Sequence, residues 1–142
     1  MSNVLRFSVC LCALLFVSGC GSDQIPVWPT SGVVVFSDGS KVKTGNIEFE
    51  SLDHELTASG RIRPDGSFVL GTYTPDDGAV AGIHNVIVVQ MVINDGTINH
   101  TMDHGKPVPP MYASYETSGL AAMVTKGKSN NLTVTIELPK KR

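Results

Sequence analysis

From residue 32 onward, short runs of alternating apolar and polar side chains are broken every few residues by glycine, proline and aspartate. That pattern permits strands and excludes long helices, because side chains alternate faces with a period of two only in extended chain. Asn46 to Glu50 sends Ile47 and Phe49 to one face and Glu48 and Glu50 to the other. Leu132 to Leu138 sets Leu132, Val134, Ile136 and Leu138 against Thr133, Thr135 and Glu137. Gly32 to Phe36 is a β-branched run ended by Ser37-Asp38-Gly39. Thr57 to Arg63 carries Ala58, Gly60 and Ile62 on one side, with Arg61 and Arg63 on the other, and Ser67 to Thr72 turns Phe68 and Leu70 inward. Between them stands Pro64-Asp65-Gly66: proline presets φ and Asp-Gly tolerates positive φ, so residues 57–72 are predicted to form a hairpin. Ala81 to Ile93 is the longest candidate, and Val86 to Val89 is apolar on both faces. A strand of that kind is central, or is covered by another element. Residues 94 to about 117 read as a polar loop with Pro107, Pro109 and Pro110, and Leu120 to Val124 is one more strand. Fourteen glycines and eight prolines leave no stretch with a capped 3.6-residue period. The chain is therefore expected to be all-β. Its seven strands, with no room for crossover helices, predict a seven-stranded antiparallel β-sandwich over 31–138.

The amino terminus carries an address. A single cation, Arg6, precedes Phe7 to Val17, which is apolar apart from Ser8. This is the length of an export signal; a membrane-spanning helix needs roughly 20 apolar residues, and Gly21-Ser22-Asp23 arrives too soon. Val17-Ser18-Gly19-Cys20 resembles the lipobox of bacterial lipoproteins. The resemblance implies that residues 1–19 are a signal peptide cut between Gly19 and Cys20. The Cys20 sulfur would then carry diacylglycerol, and its new amine is often acylated. One acyl chain binds a bilayer only marginally, whereas two or three hold it. The alternative is an ordinary signal cut after Val17-x-Gly19, with Cys20 incidental. Residues 20–30 then form a tether in which Pro26 and Pro29 bracket Trp28. The expected location is the cell envelope, lipid-anchored to a membrane and facing the periplasm or the cell surface.

Composition narrows the rest. The net charge is −2 and removal of Arg6 makes the remainder more acidic. The only basic cluster is the tail at 139–142, Lys140-Lys141-Arg142, so no nucleic-acid partner is expected. Cys10 and Cys12 fall in the leader, which leaves Cys20 alone. An exported domain without disulfides depends on its core.

Gly32-x-Val34, Asn46-Ile47-Glu48-Phe49, Gly60, Asp65-Gly66-x-Phe68, Asp77-Gly78-Ala79-x-Ala81-Gly82, Val86-x-Val88, Pro109-x-x-Tyr112 and Thr117-Ser118-Gly119-Leu120 follow one another in that order. The series resembles small bacterial lipoproteins with a carboxypeptidase regulatory-like, or transthyretin-like, domain. The resemblance implies a prealbumin-like, immunoglobulin-like sandwich tethered to a membrane, and brings no activity with it. His84 and Met111 depart from the pattern, standing where Tyr and Lys are usual.

The candidate chemistry is sparse. His100, Asp103 and His104 supply two imidazoles and a carboxylate, donors that suit zinc or copper. Four-residue spacing converges only on a helix, and Gly96, Gly105 and Pro107 argue against one. His84 opens a strand that reads as buried, and His54 sits in the polar turn Asp53-His54-Glu55. Asp76 and Asp77 read as turn formers. Ser118 lacks the Gly-x-Ser-x-Gly elbow of a nucleophile, and the carboxyl terminus lacks the Tyr-Arg-Gly-Ser ending of transthyretin-like hydroxyisourate hydrolases. Tyr112 and Tyr115 are the aromatic residues best placed to contact a ligand from the long loop. The expectation is a non-enzymatic, lipid-anchored envelope module, binding or structural, without a cofactor, whose partner is an envelope protein or glycan. The alternative is a metal-binding lipoprotein using His100, Asp103 and His104.

Overall fold

In the computed structural model, which describes residues 23–90 and 103–139, the alternating runs become strands. They are β1 (Val27–Trp28), β2 (Thr30–Phe36), β3 (Gly45–Ser51), β4 (Thr57–Ile62), β5 (Ser67–Val69), β6 (Ala79–Val80), β7 (Gly82–Val89), β8 (Leu120–Val124) and β9 (Asn130–Ile136). The protein is all-β. Each of the seven expected strands overlaps an observed one; β1 and β6 are additional two-residue strands. Three sheets result, in the orders β4-β3-β7-β8, β5-β2-β9 and β1-β6.

The two larger sheets share one apolar layer. Ile47, Phe49, Ala58, Ile62, Val86, Val88 and Val124 come from the first, and Val34, Phe36, Phe68, Val134 and Ile136 from the second. Phe49 and Phe68 meet across it with ring centroids 6.1 Å apart. β7 is the central strand expected from its composition, flanked by β3 and β8. Its second apolar face is covered within the chain. Ile87 is buried, and β7 packs against a 3-10 turn (Pro110–Ala113) and a one-turn helix, α1 (Tyr115–Ser118).

Four expectations are corrected. The arrangement is not purely antiparallel, because β2 and β9 run parallel from Thr30↔Asn130 to Phe36↔Ile136. A parallel pair needs a long connection, and here everything between the first and last long strands supplies it. The hairpin over 57–72 keeps its turn, with Arg63 N–H donating to Ser67 O (2.9 Å) and Gly66 N–H to Arg63 O (2.8 Å). Its arms stay bridged, Ser59 and Gly71 exchanging N–H···O bonds of 2.9 Å, but their longer ladders diverge: β4 pairs with β3 and β5 with β2. Phe68 and Ile62 thereby enter the shared layer from opposite sheets. The arms pass so closely that a Cβ on Gly60 would lie 2.2 Å from Val69 O. The strand expected to reach Thr72 stops at Val69. Beyond it the Asp77 carboxylate accepts the N–H groups of Thr72 (2.6 Å), Tyr73 (3.1 Å) and Thr74 (2.9 Å). The described part of the 94–117 segment is also more than a polar loop, since it carries both helical turns.

Burial alone would raise the Asp77 carboxyl, but its three amide donors outweigh burial and hold it below the ordinary value. Asp77→Ala orphans all three donors at once. We expect a loss of about 1–3 kcal/mol, read as a lower urea midpoint at unchanged slope.

The pairing gives the molecule two ends. At the near end the chain enters at Asp23. Asp23, Gln24 and Ile25 share a cleft with His54, Glu55, Leu56 and Tyr73, and Tyr73 Oη donates to Ile25 O (3.2 Å). β2, β7 and β9 start there and β3 ends there, as the pairs Ser51↔His84 and Thr30↔Asn130 require. At the far end lie the 37–44 connection, the 63–66 turn and Gln90.

Candidate functional site

The outward face of β3 and β4 is polar because the period of two that buries Ile47, Phe49, Ala58 and Ile62 turns their neighbours to solvent. Register sets Asn46 across from Arg61, Glu48 across from Ser59 and Glu50 across from Thr57. Arg61 is exposed and lines three adjoining clefts. A groove of about 490 Å³ runs toward Tyr73, Thr74 and Asp76. Asp76 has φ 64°, the only positive φ at a non-glycine among the described residues. A cleft of about 630 Å³ runs to the far end, between Arg61 and Arg63 on one wall and Lys43, Asp103 and His104 on the other. A smaller one, about 360 Å³, lies beside Asn46 and Val89.

The second wall is fixed by Gln90, whose side-chain amide donates to His104 O (3.2 Å) and accepts from Val108 N–H (2.8 Å). Asp103 is committed locally. Its carboxylate pairs with Lys43 and accepts Gly105 N–H (2.8 Å). The Lys43 ammonium, followed by that amide, holds its carboxyl below the usual range. Lys106 pairs with Asp38. Arg61 and Arg63 form no ion pair among the described residues. The cleft thus presents two guanidinium groups on one strand face whose charge is not neutralised by direct contact. Guanidinium is the side chain best matched to bidentate carboxylate or phosphate.

The residues singled out from sequence are distributed unevenly. Gly19, Cys20 and His100 lie outside the described residues. Asp103 and His104 line the far-end cleft together. A metal ion there would have to take Asp103 from Lys43, and no three His, Cys, Asp or Glu side chains converge among the described residues. Tyr112 is not available to a ligand: it is buried in the core, and its hydroxyl accepts Glu137 N–H (3.0 Å). Tyr115 is half-buried over the outward face of β3, with its hydroxyl donating to Glu48 Oε2 (3.4 Å). Burial, then the charges of Glu48 and Glu50, push that phenol up to about 12. Ser118 Oγ is buried and donates to Val86 O (2.5 Å), a packing role. His84 lies in the core, 5.8 Å from the Phe49 ring.

Arg61 and Arg63 were legible as outward-facing, but not as a site, because the opposing wall comes from residues some forty positions later. Comparison with known proteins finds no match among family models, curated proteins or solved structures.

Proposed function

We propose that this protein is a lipid-anchored, non-enzymatic module of a bacterial envelope, built as a prealbumin-like sandwich, that holds an anionic partner at Arg61 and Arg63. The observation that carries the reading is the opposition of two ends. The chain enters beside His54 and Tyr73, and Arg61 on β4 and Arg63 just past its end lie roughly 13–20 Å away from that end at the rise of extended chain. An anchor at Cys20 would leave the cleft directed away from the bilayer, toward whatever the envelope offers. Support for binding over catalysis is chemical: the cleft presents the guanidinium groups of Arg61 and Arg63, and the hydroxyls of Ser118 and Tyr112 are spent on packing. An acidic glycan or an acidic protein segment has the carboxylate or phosphate groups that paired guanidiniums select.

Two measurements on one preparation test this. Intact mass of the membrane-extracted protein, beside Cys20→Ala, is expected to show a chain beginning at Cys20 with diacylglycerol and acyl additions, and an unmodified soluble variant. An array of acidic and neutral glycans and peptides is expected to retain acidic members only, and Arg61→Ala/Arg63→Ala is expected to lose them. Unmodified wild type in the soluble fraction overturns the anchor. Equal retention by wild type and the double variant overturns the site.

A further inference from the structure

Among the described residues, three of the four large apolar side chains that remain exposed stand together at the near end. Leu52 is 57 % exposed, Ile83 45 % and Met123 54 %. Ile83 and Met123 are direct cross-strand partners on β7 and β8, and Leu52 N–H donates to Ile83 O (3.0 Å), which ties the third to the same spot. Their exposure follows from register. The strand position that follows each, His84 and Val124, is buried, so Ile83 and Met123 must face outward. Alternation elsewhere fills outward positions with Glu48, Glu50, Ser59 and Arg61; here it does not. A contiguous apolar patch on a folded surface marks a contact with another apolar phase.

The length of chain before Asp23 says which phase. Cys20 is three residues from Asp23, a span of at most about 11 Å when fully extended. Asp23 lines the near-end cleft with His54 and Glu55, two and three residues from Leu52, and Ile25, two residues further on, is fastened there by Tyr73 Oη. We infer that Leu52, Ile83 and Met123 form a flank that rests on the bilayer holding the Cys20 lipid; this rests on the lipid-anchor reading above. The 20–30 segment expected as a tether joins the fold early, with Val27–Trp28 already a strand, so the few residues after Cys20 keep the domain near the membrane surface; one flank must meet it, and the apolar one loses least water-exposed polar surface in doing so. Charge does not drive the contact. Asp23, Asp53 and Glu55 outnumber Lys126 and Lys128 around the patch, so the surface it fits is zwitterionic, with apolar side chains entering the headgroup boundary as they do in interfacial segments.

The test uses the full chain with its own leader. Acylation consumes the Cys20 thiol, so Met123→Cys and, as a far-end reference, Glu137→Cys each give one labelling site for an environment-sensitive dye. Both are reconstituted in phosphatidylcholine vesicles carrying nitroxide-labelled acyl chains, and intact mass is measured on the same samples. With acylation present, emission at 123 is expected to fall by more than half while emission at 137 is unchanged. Acylated protein with equal emission at both positions overturns the inference and leaves the anchor standing. Acylated protein in which the unlabelled Met123→Cys variant instead forms a disulfide dimer assigns the patch to a second copy and also overturns it. An unacylated chain overturns the anchor and this inference together.

Discussion

Phe49→Ala is expected to cost about 3–5 kcal/mol, the largest loss of any single truncation in this domain. Phe49 is fully buried at the middle of β3, between β4 and β7. Its ring touches Phe68 of the other large sheet (6.1 Å between centroids) and His84 of its own (5.8 Å). Removing it opens a void where the two sheets meet, and neither neighbour can fill it without leaving its own strand position. No disulfide can share the load, because residues 23–139 contain no cysteine. Domains of this size have stabilities of about 5–15 kcal/mol, so the variant retains a fraction of the original margin or none. Urea unfolding followed by fluorescence checks this. With slopes of about 1–3 kcal/mol/M, the midpoint should drop by at least about 1 M at unchanged slope. Phe49→Leu should recover most of it, since Leu keeps the apolar volume and loses only the ring contacts. A loss below about 1 kcal/mol for Phe49→Ala, the scale of a surface substitution, would mean that the sheets do not share one layer.

The strands were legible because each carries its own evidence: Ile47 and Phe49, or Val134 and Ile136, alternate against polar partners, and Ser37-Asp38-Gly39 and Pro64-Asp65-Gly66 end the runs beside them. What local pattern cannot carry is who pairs with whom. The parallel β2–β9 ladder joins residues a hundred positions apart, and nothing in Gly32 or Leu132 announces the other. The 57–72 turn obeyed its chemistry and its arms stay bridged at Ser59 and Gly71, yet their ladders run in different sheets, which lets Phe68 and Ile62 close the layer from both sides. The helical turns at 110–118 were missed because Pro109, Pro110 and Gly119 punctuate them. They hold through tertiary bonds, Ser118 Oγ donating to Val86 O and Glu137 N–H donating to Tyr112 Oη, and not through propensity. For the candidate site, one wall was legible and the other was not. Outward arginines follow from alternation, but the return of Asp103 and His104 beside them depends on Gln90, a residue whose sequence context gives no hint of that clasp.

The second large effect is a dependence of stability on mild acid. His84 stands where the layer is apolar. Its Nδ1 lies 3.2 Å from Gly82 O, which fixes that nitrogen as the donor, and Nε2 is buried without a hydrogen-bond partner among the described residues. Protonation would place a second donor, and a charge, where no acceptor faces it. Burial lowers the imidazole from its ordinary value of 6.5, opposed by the Gly82 carbonyl and the Asp53 charge and reinforced by His54. The unfolded chain therefore binds this proton more readily than the folded one. Stability attributable to His84 is fully present above about pH 6.5 and is lost as pH falls below it, by up to about 1.4 kcal/mol per pH unit. The carboxylates held low in the fold, Asp38, Asp65, Asp77, Asp103 and Glu116, act in the same direction but only below their ordinary values of 3.8 and 4.5. The interval between about pH 5.5 and 6.5 thus separates the imidazole from these carboxylates. Urea midpoints measured across it should fall steadily for the wild type and stay level for His84→Leu, which keeps the volume and removes the titration. An equal slope in both proteins would assign the loss to another group and leave His84 a packing residue with an idle nitrogen.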